Sequence, residues 1–452
     1  MAGLVTAYLL HQDTRKRYAV KLFESGKTLS LDSASVSIPN SSGTLSDRVD
    51  LPMRAFAGGY YNNLRAMYDH LGVRYHSQRF LFEFANGDSA NTEPGHTGED
   101  SSYFVYASNL HKTALPRPKA MASVTYLVEA VYLLACYAWF SICCFLVTPQ
   151  TTNDVSETLA HYLQRIHLPE YFVTYYLLPL ISSVSTCPHE ALLKFPARDL
   201  TEYKRRTHGA PHYTVSNGVK TVQDMLVGGI DYELSTMVSE IELQRSGIKI
   251  CWKKVNDQGG AASVQEEIFD RVVLAVAPDI VGEIFDPLRR YMTKIPTTIV
   301  ESVVHTDRKL LSIENPEEGD GHRHPAQIIS LRTSTNGAHR TESLHLQPCG
   351  AIVTTCPFTA IDPSLIIHSA RFTRVLRSPE SRRVVNSIFN NTPHYYGDEK
   401  SRPIWRNGDN GVWLAGGWCW DGMVLLEGCI LSAMRVADAF DVDVPWTRES
   451  ET

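Results

Sequence analysis

The chain opens on MAGLVTAYLL, Met1 to Leu10, and after a short charged stretch runs into YAVKLFES, Tyr18 to Ser25. Met1-Ala2-Gly3 reads as the second half of a G-x-G-x-x-G turn. In such a turn the last glycine lets a helix pack closely on a strand while the helix start faces a pyrophosphate. Gly3 takes that place. Ala2, Leu4, Val5, Ala7, Leu9 and Leu10 suit a helix buried against a sheet, and His11-Gln12-Asp13 ends the apolar pattern. Tyr18, Val20, Leu22 and Phe23 then predict a strand ending in Glu24, ~20 residues after the glycine, where an acid can hold a ribose hydroxyl. An ordinary amphipathic helix followed by a strand with a solvated Glu24 fits the same residues. The chain begins inside the turn, so the expectation is a sheet without the first strand of such a unit and with few N–H groups for a pyrophosphate.

Composition narrows the partners. With 43 basic and 49 acidic residues the formal charge is -6, and no long basic run occurs, which argues against nucleic acid. A small molecule or a protein is the expected partner. A chain of 452 residues at 43% hydrophobic content can bury a large core in two or three joined domains. The nine cysteines form no C-x-x-C pair and are expected to be reduced packing residues. Met1 to Leu10 lacks the positive start of a signal sequence, which predicts a cytoplasmic chain.

After Gly58-Gly59, Tyr60, Leu64, Met67, Tyr68 and Leu71 recur with helical spacing up to Gly72. Such a helix start can present N–H groups to an anion, or can be a plain capped core helix. Phe80 to Phe84 predicts a strand, followed by a polar loop over 86–102. Ala130 to Val147 is a run of 18 residues without a charge, long enough for a membrane span. A buried or interfacial helix is expected instead, because a span would separate Gly3 and Glu24 from the C-terminal motif below. Residues 121–147 are therefore the candidate membrane-surface contact. Tyr171 to Val184 is a second apolar stretch, interrupted by Pro179. The two stretches together suit the wall of a cavity for a hydrophobic, lipid-like substrate, and ordinary core packing suits them equally.

His208, His212 and Tyr213, beside Gly209 and Pro211, are placed on a loop or strand entry and are acid/base candidates by residue type alone. Gly209 and Pro211 break the helix that a His208/His212 metal pair would need, so a structural or surface role fits better and no metal is expected. A helix is predicted over Val219 to Leu226. Strands follow at Met237 to Leu243, Ile248 to Lys253, Asp270 to Val276, Thr297 to His305, Ala326 to Leu331 and Ala351 to Thr354, with a turn at 257–260 and an exposed loop at 314–325. The closing unit is a strand from Val412 to Ala415, a Gly416-Gly417 turn and a helix from Val424 to Phe440, again an anion-facing helix start.

Met1-Ala2-Gly3-Leu4, Glu24, RVVLAVAP from Arg271 to Pro278 and LAGGW…GMVLLEGCILSA from Leu414 to Ala433 together resemble the flavin-containing amine oxidase superfamily, in particular its FAD/NAD-binding oxidoreductase branch. The resemblance runs over nearly the whole chain. It implies an α/β fold: a Rossmann-like FAD-binding domain, first strand missing, with an inserted α+β substrate domain containing apolar helices. The FAD-binding part would comprise residues 1-80, 216-290 and 400-445, and the substrate part 81-215 and 291-399. Position by position it implies Gly3 as the third fingerprint glycine, Glu24 as the ribose acid and Val238 as the strand residue whose backbone meets adenine. Gly416, Gly417, Met423 and Glu427 match the loop and helix start beside the flavin. Gly417 stands where the family usually has an acid for the ribityl chain. The implied activity is hydride removal by FAD from a hydrophobic substrate, with FAD occupancy expected to be weak for want of the upstream glycines. The alternative is a catalytically silent flavoprotein-like subunit that binds a partner or a membrane surface through its apolar helices.

Overall fold

The computed structural model describes residues 1–30, 35–39, 46–51, 55–88, 102–107, 121–152, 155–255, 263–311, 326–389 and 405–447. The helices that carry the core are α1 (Ala2–His11), α2 (Asn62–Leu71), α3 (Ser123–Leu146), α4 (Ala197–Thr207), α5 (Val219–Leu226) and α6 (Leu426–Ala439). The expected turn at 257–260, the loop at 314–325, most of the polar run at 86–102 and residues 108–120 lie outside the described residues.

Two short parallel pairs form the middle layer of one half of the molecule. β1 (Lys21–Phe23) pairs with β2 (Asp231–Glu233), and β3 (Val272–Leu274) pairs with β4 (Val412–Leu414). The pairs are separate sheets, yet they share the same two faces. Strand alternation explains this: Leu22, Val273 and Trp413 pack toward α1, α2, α5 and α6. Phe23, Val272, Leu274, Val412 and Leu414 pack on the opposite side, against Ile248, Ile250 and Trp252. Those three belong to an antiparallel meander of Thr236–Gln244, Gly247–Lys254 and Gln265–Phe269. Helix α1 is buried on most of its circumference, as its near-continuous apolar sequence requires.

The other half is built on a seven-stranded sheet in the order Ile366–Val375, Thr297–His305, Ile352–Thr355, Arg340–Leu346, Gln327–Ser334, Phe80–Asn86 and Ser102–Ala107. Only Gln327–Ser334 against Phe80–Asn86 is parallel among its paired strands. Phe80, Phe84, Ile329 and Leu331 line the face that packs on α3, α4 and the helices between them.

Several expectations from the sequence change here. The strands Arg340–Leu346 and Ile366–Val375 are additions; the first buries Thr341, Glu342 and His345, so it lacks an apolar run. Helix α3 begins at Ser123, earlier than the uncharged stretch, and the expected strand over Asp270 to Val276 is reduced to β3. His208 directly follows the last residue of α4, and His212 and Tyr213 lie on a strand. Pro179 does not end its helix: the wide turn Val173–Leu177 precedes Leu178–Ser185, which opens the i−4 position that the proline ring would strike. The two apolar stretches also fill space rather than enclose it, with Tyr137 edge-on to Phe172 at 4.7 Å and Tyr132 at 5.9 Å from Tyr171.

Candidate functional site

The start of α1, the end of β3 and the end of β4 meet at one place. A Cβ built on Gly3 would lie 3.0 Å from Ala275 Cβ, so glycine is what lets α1 approach the strand end. Next to it, the Ala415 N–H donates to Leu274 O at 3.0 Å, which sets Gly416 beside the same strand end. Glu24 follows β1 directly. Its N–H donates to Glu233 O at 2.9 Å, and its carbonyl accepts from Thr236 N at 2.9 Å. Oε1 of Glu24 accepts the Gly26 N–H at 2.8 Å, while Oε2 has no hydrogen bond among the described residues. Val238 lies at a bulge in the meander, where the ladder slips between Val238 and Glu240.

The Gly416 turn is tightly filled by the protein itself. The Gly416 N–H donates to Ser432 Oγ of α6 at 2.9 Å. A Cβ on Gly416 would meet the Trp418 ring at 3.0 Å, and one on Gly417 would meet Leu425 O at 3.1 Å. At Gly428 the Trp420 indole stands 2.4 Å from a built Cβ, so this tryptophan packs directly on the backbone of the first turn of α6. Trp420 Nε1 donates to the carbonyl of buried Met423 at 3.0 Å. Glu427, 2% exposed, turns away from the glycine turn: Oε1 accepts from Asn63 N (3.0 Å) and Nδ2 (2.7 Å), and Oε2 from Leu64 N (3.0 Å). The anion at the start of α2 is therefore internal. Burial raises the Glu427 pKa, and the donors on Asn63 and Leu64 oppose the shift.

Residues without a signal in the sequence close the site. Arg377, buried after the edge strand, donates from Nη2 to the carbonyls of Trp418 (3.2 Å), Trp420 (2.9 Å) and Gly422 (3.2 Å). Arg382 bridges Asp199 of α4 (3.1 Å) and Asp421 (2.6 Å). Burial pushes the Asp199 carboxyl up to about 6 against the pull of Arg382 and Arg377. Tyr60 packs edge-on against Tyr203 (4.8 Å), Tyr61 (5.2 Å) and Trp420 (6.0 Å), and its buried hydroxyl has no hydrogen-bond partner among the described residues. Burial raises its pKa far above the usual phenol range.

The three acid/base candidates are spread over two elements, and Tyr213 packs against the core cluster that holds Tyr60, Trp420 and Met423. His208 is exposed at the end of α4, its ring 5.5 Å from Phe145 and its Nδ1 3.4 Å from Lys204 Nζ. His212 and Tyr213 lie on the strand His212–Val215, which pairs with Phe56–Ala57 and Tyr75–Ser77. Tyr213 stacks on Phe56 at 5.6 Å beneath the Arg65 guanidinium, 5.0 Å from its centroid, a packing role.

The family model for an NAD(P)-binding Rossmann-like domain matches residues 1–71. No curated protein matches the sequence. Solved structures do. Cyclohexylamine oxidase from Brevibacterium oxydans IH-35A is 12% identical, with TM-score 0.54, covering 97% of this chain and 97% of that one. An oxidoreductase from Methanosarcina mazei is 11% identical, with TM-score 0.54, over 97% and 98%. A CLA-producing fatty acid isomerase from P. acnes is 13% identical, with TM-score 0.59, over 98% and 96%. The chain shares the fold of these solved structures, with a Rossmann-like dinucleotide-binding unit matched at its start.

The residues fit the two halves of such a dinucleotide unequally. Gly3 against Ala275, the unshared Glu24 Oε2 and the bulge at Val238 suit the adenosine half. At the turn of Gly416 and Gly417 and the start of α6, Trp418, Trp420 and Leu425 stand close to the glycine backbone.

Proposed function

We propose that the chain is an FAD-dependent oxidoreductase acting on a hydrophobic, lipid-like small molecule, with residues 1-80, 216-290 and 400-445 holding the cofactor and 81-215 and 291-399 the substrate. One observation carries this reading: a glycine-permitted helix start against the end of β3, with an acid directly after β1, a strand of the other parallel pair. That combination answers the pyrophosphate and ribose of a dinucleotide. The oxidase and isomerase activities in the names of the structural neighbours support the chemical class. No acid/base role is assigned to His208, His212 or Tyr213.

A second reading, a catalytically silent flavoprotein-like subunit, is favoured by the Trp420 ring lying on Gly428, where open space would serve a flavin. FAD titration followed by flavin fluorescence separates the two. The oxidoreductase reading expects saturable uptake of FAD, weakened on the order of tenfold in Glu24→Gln by loss of a charged hydrogen bond. Absence of uptake at high FAD concentration leaves the silent subunit.

A further inference from the structure

We propose that the outer face of α3 docks on the surface of an anionic lipid bilayer and lies in its plane. At 24 residues the helix is roughly 36 Å long, and it presents two opposite stripes. Leu133, Cys136, Phe140, Cys143 and Cys144 pack into the core beneath the seven-stranded sheet. On the other side Leu127 (64% exposed), Val131 (60%), Leu134 (72%), Ile142 (49%) and Phe145 (48%) follow at helical spacing, an apolar ridge along the whole helix. The single ionisable acid of the helix, Glu129, is turned aside, held by the hydroxyls of Tyr171 and Tyr176. The outer stripe therefore carries no charge.

Its C-terminal end runs into positive charge. Arg198 and Arg205 of α4 line a cleft of about 410 Å³ together with Thr148, Pro149, Thr151 and Glu202, to which Arg198 is ion-paired at 3.2 Å, so the net charge of the lining is carried by Arg205. Arg205 makes no ion pair among the described residues, and Lys204 and Arg205 both act electrostatically on the buried Cys144 thiol of α3. In a chain of formal charge -6, an apolar ridge that ends in a local basic cleft is complementary to acyl chains bordered by anionic headgroups. A span is not compatible with this packing, because the inner stripe of α3 is covered by protein whose Lys204 and Arg205 stand beside it. A protein partner would bury the same ridge but gives the cleft no role.

Co-sedimentation of the full chain with vesicles of phosphatidylcholine, alone or mixed with phosphatidylglycerol, tests the proposal. The chain should bind the mixed vesicles, and Leu127→Glu with Leu134→Glu should lower that binding more than tenfold. Arg198→Gln with Arg205→Gln should lower it on the order of tenfold while leaving the weaker binding to neutral vesicles in place. Leu127, Leu134 and Arg198 are exposed and Arg205 is half-buried, and an unchanged thermal transition confirms that both variants fold. Lack of binding to mixed vesicles overturns the proposal. So does a dimer that Leu134→Glu dissociates when vesicles take up none of the chain, or protease protection of the two ends of α3 on opposite sides of the vesicle.

Discussion

Glu427, at the start of α6, supplies the carboxylate that caps α2, its two oxygens accepting the N–H groups of Asn63 and Leu64 at 3.0 Å each. Two helix starts, far apart in sequence, are thereby joined by one buried acid. A free helix start attracts an anion through unpaired N–H groups and the helix dipole, and here that demand is met from within.

Replacing Glu427 should therefore cost stability rather than chemistry. Glu427→Ala leaves two backbone donors and the Asn63 amide without acceptors and should lower unfolding free energy by roughly 2–4 kcal/mol. Glu427→Gln keeps one acceptor and should lose about half as much. Urea unfolding of both variants measures the difference, and equal losses would remove the capping role.

Arg377 gathers three carbonyls of the loop that carries Trp418 and Trp420. Arg377→Met should cost about 3 kcal/mol or more, since it strands those carbonyls and leaves Asp199 with less positive charge nearby. Near-ultraviolet circular dichroism should report the release of the tryptophans. An unaltered spectrum in a folded variant would mean that the loop is held by packing alone.

Gly3 predicts a graded response to size. Gly3→Ala places a methyl 3.0 Å from Ala275 Cβ, a contact that a few tenths of an ångström of movement relieves. Gly3→Val should wedge α1 from β3, costing roughly 1–3 kcal/mol and lowering FAD uptake. Identical FAD binding by wild type and Gly3→Val would detach the cofactor from this turn.

Acid should weaken the fold through two buried histidines. Burial lowers His345 to about 3 and His189 to about 4. Their folded pKa values lie below the unfolded value near 6.5, so the unfolded chain binds more protons as pH falls. Stability should be level above about pH 7 and fall by about 2 kcal/mol per histidine toward about pH 5. Unfolding midpoints across that range test this, and His345→Gln should flatten part of the slope. His345 receives a hydrogen bond from Gln347 at 2.9 Å and shares another with Gln327 at 2.7 Å, contacts that a neutral ring can satisfy.

Much of the frame could be read from local pattern. The apolar run of α1, the stop of α2 at Gly72 with φ 69° and the Thr297–His305 strand follow from residue spacing and backbone preference, which act within a few residues. The uncharged stretch announced α3, because burial and membrane contact both select apolar side chains. Which stripe of α3 meets protein and which stays outside depends on Tyr171, Tyr176 and α4, and no local pattern contains that choice. The same holds for the candidate site. The close approach at Gly3 and the place of Glu24 after β1 follow local pattern, because a helix start packed on a strand end restricts residue type. The turning of Glu427 toward Asn63, the carbonyl clamp of Arg377 and the packing of Trp420 on Gly428 do not, because each joins segments distant in the chain or folded back on themselves. Residue spacing set which elements form; long-range packing decided which side chains remain available to a ligand.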